Sequence, residues 1–415
     1  MAQFTDCLII GAGQAGLAMS QCLASAGIDH VVLERGTVGN RWVSQRWKSL
    51  RLLTPGWMAR LPGRSLFGQD SSFRLASELP ERLAAYRRDF ALPVIEGVDV
   101  LALEPLGDRF RAVTSRGTWV ARSVVVATGA CDRPHVPGWA RDLSPAIHQL
   151  ASTEYQSADE LPDGGVLVVG ASATGVQLAS ELARSGRKVM ISAGSHVRTP
   201  RSYRGRDLFD WFSASGYLGE APPQGRSPAQ MIAQPSLQLV GTPDRENIDL
   251  YRLAGEGVIV TGRATAADGP VVSFANDLVS QLERAEARRK RVLGRIDDYI
   301  ERNLPGLSED EGAWRNPPML LPASGAIKLP SFGINTVLWA TGYRRDYTWL
   351  HLDACDGSGE LRQQGGICDV PGLFVLGLPH MRHRASSFID GVGRDAEALA
   401  PAIAAHLGES SLIAA

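Results

Sequence analysis

Cys7-Leu8-Ile9-Ile10-Gly11-Ala12-Gly13-Gln14-Ala15-Gly16 is followed by Leu17, Met19, Leu23 and Ala24, then by Val31-Val32-Leu33-Glu34. Four consecutive apolar residues describe a strand buried on both faces. The spacing after Gly16 predicts a helix that Gly27 stops, and the second apolar run predicts another buried strand. Gly11, Gly13 and Gly16 form G-x-G-x-x-G at the first turn, and Glu34 stands 23 residues after the first glycine. Gly11 permits the tight turn, Gly13 the approach of a pyrophosphate to the backbone, and Gly16 the close packing of helix on strand. The helix start, with Gln14 and Ala15, offers unpaired N–H donors to that anion. Glu34 is placed to accept from the two hydroxyls of an adenosine ribose. Strand, helix, strand and terminal acid in register predict a dinucleotide site.

The same grammar returns at Val166-Leu167-Val168-Val169, which runs into Gly170-Ala171-Ser172-Ala173-Thr174-Gly175. A helical pattern with Val176, Leu178, Ala179 and Leu182 follows, Gly186 closes it, and Lys188-Val189-Met190-Ile191 makes the next strand. Ser172 replaces the middle glycine. The second strand ends at Ser192, where a site for NAD would carry an acid, and Arg198, Arg201, Arg204 and Arg206 follow. A missing carboxylate with guanidinium groups nearby fits a ribose 2′-phosphate, hence NADPH, with Arg198 and Arg201 as first choices. An ordinary solvated basic loop is the competing reading. Two dinucleotide sites in one chain imply hydride transfer from NADPH to the ring of FAD.

The 415 residues suggest two to three domains at about 150 residues each. Apolar residues at 44% and charged residues at 21% exclude a disordered, collagenous or small disulfide-stapled chain. Forty-three basic against 44 acidic residues leave a net charge of −1, so neither nucleic acid nor anionic lipid is an expected partner. Cys7, Cys22, Cys131, Cys355 and Cys368 are scattered, which suits a reducing, cytoplasmic address and supplies no dithiol for disulfide reduction. The apolar run at 7–10 is too short to span a membrane or serve as a signal core. A long amphipathic helix is expected from Asp277 to about Asn303, with Leu278, Leu282, Ala285, Val292, Ile296 and Tyr299 on one face packed against its own domain. Arg289 interrupts that seam and argues against a coiled coil.

Further stretches carry a resemblance: Gly39-Asn40-Arg41-Trp42, Trp47-Lys48-Ser49-Leu50-Arg51-Leu52, Val197-Arg198-Thr199-Pro200-Arg201, Trp339-Ala340-Thr341-Gly342-Tyr343-Arg344 and Ser386-Ser387-Phe388-Ile389-Asp390-Gly391-Val392-Gly393. With the two glycine turns, these make the chain similar to class B flavin-dependent monooxygenases, in particular the plant YUCCA-type and bacterial flavin-containing enzymes. The resemblance implies an α/β fold of two Rossmann-like dinucleotide-binding domains in a glutathione-reductase-like arrangement. The NADPH domain, 161–330, would interrupt an FAD domain formed by 1–160 and 331–415. The crossings are marked by Val124-Val125-Val126-Ala127-Thr128-Gly129 and by Thr336 to Gly342, and Leu373 to Gly377 adds a third buried strand. Arg35, Arg41, Trp42, Thr128, Gly129, Thr341, Gly342, Phe388 and Ile389 would contact the cofactors, whereas Trp47 reads as core. The helix after Phe388 would aim its positive end at the flavin pyrimidine edge.

In such enzymes NADPH reduces FAD, and O2 adds to give a C4a-(hydro)peroxide that passes one oxygen atom to a small organic substrate at nitrogen, sulfur or a carbonyl. Of the fingerprint Phe-x-Gly-x-x-x-His-x-x-x-Tyr only Tyr155 remains. Ala151 stands at the histidine position and His148 lies three residues earlier, while position 40 is Asn where the family often has Gly. No Ser-His-Asp set, metal spacing or acid pair stands out. His380, His383 and Arg384 form a polar cluster in which His380 and Arg384 are the candidates for a place beside the ring, against the alternative of a surface loop. Substrate contacts are expected from loops within 205–330 and 378–388, where Trp211, Phe212, Tyr217 and Trp314 suggest a partly aromatic cavity. An NADPH-dependent flavin reductase or oxidase without oxygen insertion is the alternative, and a flavin-binding sensor without turnover a third. A homo-oligomer is compatible with this sequence.

Overall fold

The computed structural model describes residues 2–223, 237–314 and 325–413. The first sheet is built on the strand Gln3–Ile10, which lies between parallel neighbours His30–Glu34 and Gly117–Val126. Parallel strands Val94–Glu96 and Leu373–Val375 extend it on either side. Cys7 and Ile9 face one apolar cluster, with Leu17 and Leu23 of the helix Gln14–Ser25 and Val392, Leu399 and Ile403 of the carboxy-terminal helix Ile389–Ile413. Leu8 and Ile10 face another, with Phe110, Trp119 and Leu350. Successive side chains of a strand alternate between faces, so covering both faces requires the unbroken apolar run seen at 7–10. An antiparallel pair, Val100–Leu106 and Arg109–Thr114, continues from Gly117–Val126.

The second sheet repeats this plan. Its order is His148–Ala151, Ile334–Trp339, Gly165–Val169, Val189–Ser192 and Ile259–Thr261, all parallel. Val166 and Val168 pack under the helix Ala173–Arg184, while Leu167 and Val169 meet Val272, Phe274 and Leu329 on the opposite face. In each sheet the strand ending in Ala-Thr-Gly lies directly beside the strand that enters the glycine turn. The chain passes between sheets twice, and the passages pair antiparallel through Arg133–Pro134 and Tyr343–Arg344. The His135 N–H donates to the Gly342 carbonyl at 2.8 Å, and the Thr341 hydroxyl donates back to the His135 carbonyl.

The expected long helix spans Leu278–Asn303. Asp277 ties its start to the second sheet by accepting from the Arg263 N–H and the Gln281 side chain. Two expectations about it are corrected. It does not stay on its own domain: Leu293, Ile296 and Ile300 join a cluster with Met58, Phe209, Trp211 and Ala385. Nor does Arg289 break the seam, because the buried stripe runs through Gln281, Ala285, Arg289 and Leu293. Arg289 is 2% exposed and is held by Glu286 at 2.7 Å and by the carbonyls of Ala313 and Trp314. Its charge is matched inside the fold, so the amphipathic period survives a cation in the apolar face. Arg289→Ala, which strands those partners, is expected to destabilise the protein by about 3 kcal/mol. A shift of the urea midpoint to lower concentration measures it.

Candidate functional site

The two glycine turns superimpose in their chemistry. Gly11 has φ +105° and Gly170 φ +111°. A Cβ on Gly11 would sit 2.7 Å from the Ala127 carbonyl oxygen, and one on Gly170 would sit 2.4 Å from that of Ala340. A Cβ on Gly16 would fall 1.8 Å from the Gly11 oxygen, and one on Gly175 would fall 1.9 Å from the Gly170 oxygen. Gly13 is different: a Cβ there meets nothing within 4 Å. Ser172 occupies the matching place with nearly the same backbone angles. Neither helix start has a side-chain cap or an acid in its first turn. The N–H groups around Gln14 and Ala15, and around Ala173 and Thr174, are thus ready for an anion. An open approach at Gly13 and uncapped donors on both helices fit a pyrophosphate at each turn.

Around the first turn, Glu34 accepts from the Ala12 N–H at 2.8 Å and the Gly36 N–H at 2.9 Å, locking the strand tip to the turn. Each oxygen keeps a further lone pair for a hydroxyl donor. Arg35 beside it is exposed. The Arg41 guanidinium is engaged by the Cys131 carbonyl and the Asp132 carboxylate, which draws it onto the segment after Thr128 and Gly129. The Trp42 indole N–H donates to Gln14 at 3.2 Å, and Arg46 stacks on its ring. Trp47 lies in the core beneath the second sheet.

The second turn departs from expectation in its cations. Arg201 is 1% exposed and forks onto Asp207, with Nε 2.8 Å from Oδ2. It also donates to the Leu53 carbonyl and lies over Phe73. This guanidinium is a core ion pair that cannot turn outward to a ribose phosphate. Arg198 bonds Asp249 at 2.6 Å, faces Glu286 and stacks on Tyr251. Both positive charges expected to select NADPH are already matched by carboxylates. Arg204 pairs with Asp297, and Arg206 lies over Trp211. The Ser192 hydroxyl is consumed within the sheet by the Gly262 carbonyl and the Ala264 N–H. His196 bonds the Gly194 carbonyl, and burial holds its imidazole below the usual histidine range. Gln238, unnoticed in the sequence, donates to the Ala171 carbonyl within the turn while its own oxygen is buried without a partner.

At the carboxy-terminal end, His380 has φ +56° and is held below its ordinary pKa by burial and by Arg384. Arg384 bonds Glu220 at 2.9 Å and stacks on Tyr217, which braces it against the 217–220 turn. Phe388 packs edge-on against Phe209, and Ile389 is buried in the first core at the helix start. His383 stands 3.0 Å from Asp395, both buried, a pairing that sequence reading missed. A cleft of about 450 Å³ opens between this helix and residues 212–219, lined by Trp57, Met58, Arg60, Phe212, Leu218 and Asp390. Of the aromatic residues expected to line a cavity, Trp211 is instead fully buried and donates to the Tyr203 carbonyl. Residues 224–236 and 315–324 of the expected substrate loops lie outside the described residues. The fingerprint segment forms the edge strand His148–Ala151, with Ala151 buried beside Trp339. Tyr155 is buried too, its hydroxyl donating to Glu181 at 2.7 Å. The five cysteines are all free, and no helix among the described residues is long and apolar enough to cross a membrane.

The profile of the pyridine nucleotide-disulphide oxidoreductase family matches residues 8–206, which contain both turns. An uncharacterised CzcO-like oxidoreductase of Geobacillus kaustophilus is 31% identical over 410 residues, covering 98% of this chain and 100% of that one. The chain belongs to the CzcO-like oxidoreductases. A probable indole-3-pyruvate monooxygenase, YUCCA1 of Arabidopsis thaliana, is 29% identical over 49% of this chain and 50% of its own. The flavin-containing monooxygenase from Stenotrophomonas maltophilia shares the fold, with a TM-score of 0.66 at 19% identity over 97% of this chain and 99% of that one.

Two outcomes follow from the site's geometry. Gly16→Ala, which drives a methyl into the Gly11 carbonyl, is expected to lower the melting temperature and leave the purified protein short of flavin. Gly13→Ala, with open space around it, is expected to keep the melting temperature while weakening FAD retention, read from the flavin-to-protein absorbance ratio. Burial also lowers the pKa of His30 and of His196. The unfolded chain therefore takes up protons below pH about 6.5 that the folded chain refuses, and stability falls as pH drops. The slope is about 1.4 kcal/mol per pH unit for each histidine. Urea midpoints at pH 7.5 and 5.5 should separate in that sense, and less so in a His30→Asn, His196→Asn variant.

Proposed function

We propose that this chain is an NADPH-consuming flavin monooxygenase that places one oxygen atom of O2 into a small organic molecule. In this reading an FAD domain (1–160 and 331–415) is interrupted by an NADPH domain (161–330), both Rossmann-like. The observation that carries it is the duplicated cradle: two strand-to-helix turns with the same glycine contacts and the same uncapped helix starts, joined by one paired crossing. FAD is held by Gly11, Gly13, Gln14, Ala15, Gly16 and Glu34, with Arg35, Trp42, Thr128, Gly129, Phe388 and Ile389 around it. Arg41 acts from behind, fixing the segment that follows Gly129. NADPH is held by Gly170, Ser172, Ala173, Thr174 and Gly175, with Thr341 and Gly342 at the crossing. When bound, the flavin supplies hydride acceptance and oxygen activation.

The chain's own part is positioning and the exclusion of water. NADPH gives two electrons, one oxygen atom passes to the substrate at nitrogen, sulfur or a carbonyl carbon, and the other leaves as water. No acid or base of the protein is required for that balance, which agrees with the engagement of Arg384 by Glu220. A cytoplasmic address suits the five free cysteines.

One observation favours a second reading. Ala151, at the position of the fingerprint histidine, is a buried methyl in an edge strand, so no imidazole stands there. An NADPH oxidase that returns hydrogen peroxide would tolerate this. Purified holoenzyme consuming NADPH in 18O2, offered amines, sulfides and ketones, decides between them. Monooxygenation gives one 18O-labelled product per NADPH, whereas peroxide formed one-to-one with NADPH and no labelled product for any substrate would reject it.

A further inference from the structure

A site for NADPH needs a cation near the ribose 2′-oxygen, and neither Arg198 nor Arg201 is available. Other cations stand on the long helix Leu278–Asn303. Its start is fixed at the carboxyl edge of the second sheet: Asp277 accepts from the Arg263 N–H, and the neighbouring Gly262 carbonyl accepts from Ser192, the tip residue itself. Arg284 and Arg288 lie about 10 and 16 Å along the helix axis from that cap. The Arg288 guanidinium crosses to the chain that leaves the strand tip and donates to the His196 carbonyl at 2.9 Å. Between Ser192 and His196 lie Gly194, partly exposed, and Ser195, exposed.

Arg284, Arg288 and Arg291 recur at four and three residues, so they share one face of the helix. None of them has a carboxylate partner among the described residues. Among the described residues, Arg284 bonds the Ser280 hydroxyl and Arg291 the Ala287 carbonyl. The nearby Glu286 is taken by Arg289 and Arg198. Burial, and then the positive charges of Arg291 and Arg284, pull the pKa of Arg288 down. A guanidinium group that touches an exposed, glycine-containing loop, with two more of its kind on the same helix face and no carboxylate partner among the described residues, is a seat for a dianion.

We propose that Arg288, with Arg284 one turn before it, holds the 2′-phosphate of NADPH against the 194–196 loop and so sets the preference over NADH. The proposal rests on reading the second glycine turn as the NADPH site. It moves the selecting charges from the loop after the strand, where sequence proximity puts them, to a helix more than eighty residues away.

Calorimetric titration of the FAD-loaded full chain with NADP+, NAD+ and adenosine 2′,5′-bisphosphate tests it without turnover. In the Arg284→Ala, Arg288→Ala variant the Kd for NADP+ is expected to rise roughly tenfold to a hundredfold, as for loss of charge-assisted phosphate contacts. NAD+ binding should stay within about twofold, binding of the bisphosphate should be lost, and the salt dependence of NADP+ binding should become shallower. Arg288→Lys should recover part of the loss. Unchanged melting temperature and flavin content keep the comparison clean. A variant that binds NADP+ as wild type does, or that loses NAD+ equally, overturns the seat and leaves the NADPH site standing. Wild-type protein that binds NAD+ as tightly as NADP+ overturns the reading of the second turn, and the seat with it.

Discussion

Two carbonyl oxygens, those of Gly11 and Gly170, govern the architecture. Each lies where a Cβ on the glycine five residues later would overlap it, and each turn is backed by the carbonyl of the alanine in Ala-Thr-Gly. Helix, strand and crossing are thus pressed together at one point with no room for a side chain. That contact brings each helix start to the carboxyl edge of its sheet, which is where an open sheet of this kind presents its ligands. Everything further out, including Glu34 at one strand tip and Ser192 at the other, takes its place from it.

What lay legible in the sequence was whatever depends on local pattern. The buried strands at 7–10, 124–126, 166–169 and 336–339 are continuous apolar runs because both of their faces are covered, and the glycine spacing is dictated by contacts only a few residues long. The long helix was readable for the same reason. What could not be read was pairing over distance. Arg201 meets Asp207, Arg198 meets Asp249 and Arg289 meets the 313–314 carbonyls, so a cation that looked free in the sequence is matched in space. A partial signal was present. Arg289 falls at i+4 from Ala285 and Asp395 at i+3 from Val392, each in a buried stripe, and a charge in such a stripe announces a partner. Trp211 carried no such sign, because an aromatic residue in a loop-rich stretch reads equally well as core or as cavity wall.

The two sheets are also braced away from the crossing. Ser386, fully buried, accepts from the Arg382 and His383 N–H groups and donates to the His383 carbonyl, which stiffens the turn before the carboxy-terminal helix. From that turn the Arg384 and Ala385 N–H groups donate to the carbonyls of Glu220 and Leu218. The long helix adds apolar contact in the same region. The 450 Å³ cleft opens beside this brace, with Leu218 and Gly219 in its lining.

Both covalent passages between the sheets run side by side through Arg133–Pro134 and Tyr343–Arg344. The His135 N–H bond to the Gly342 carbonyl and the return bond from the Thr341 hydroxyl tie the two passages to each other. Neither connection can therefore be displaced without pulling on its neighbour, and the stretch after one Ala-Thr-Gly is anchored to the stretch after the other.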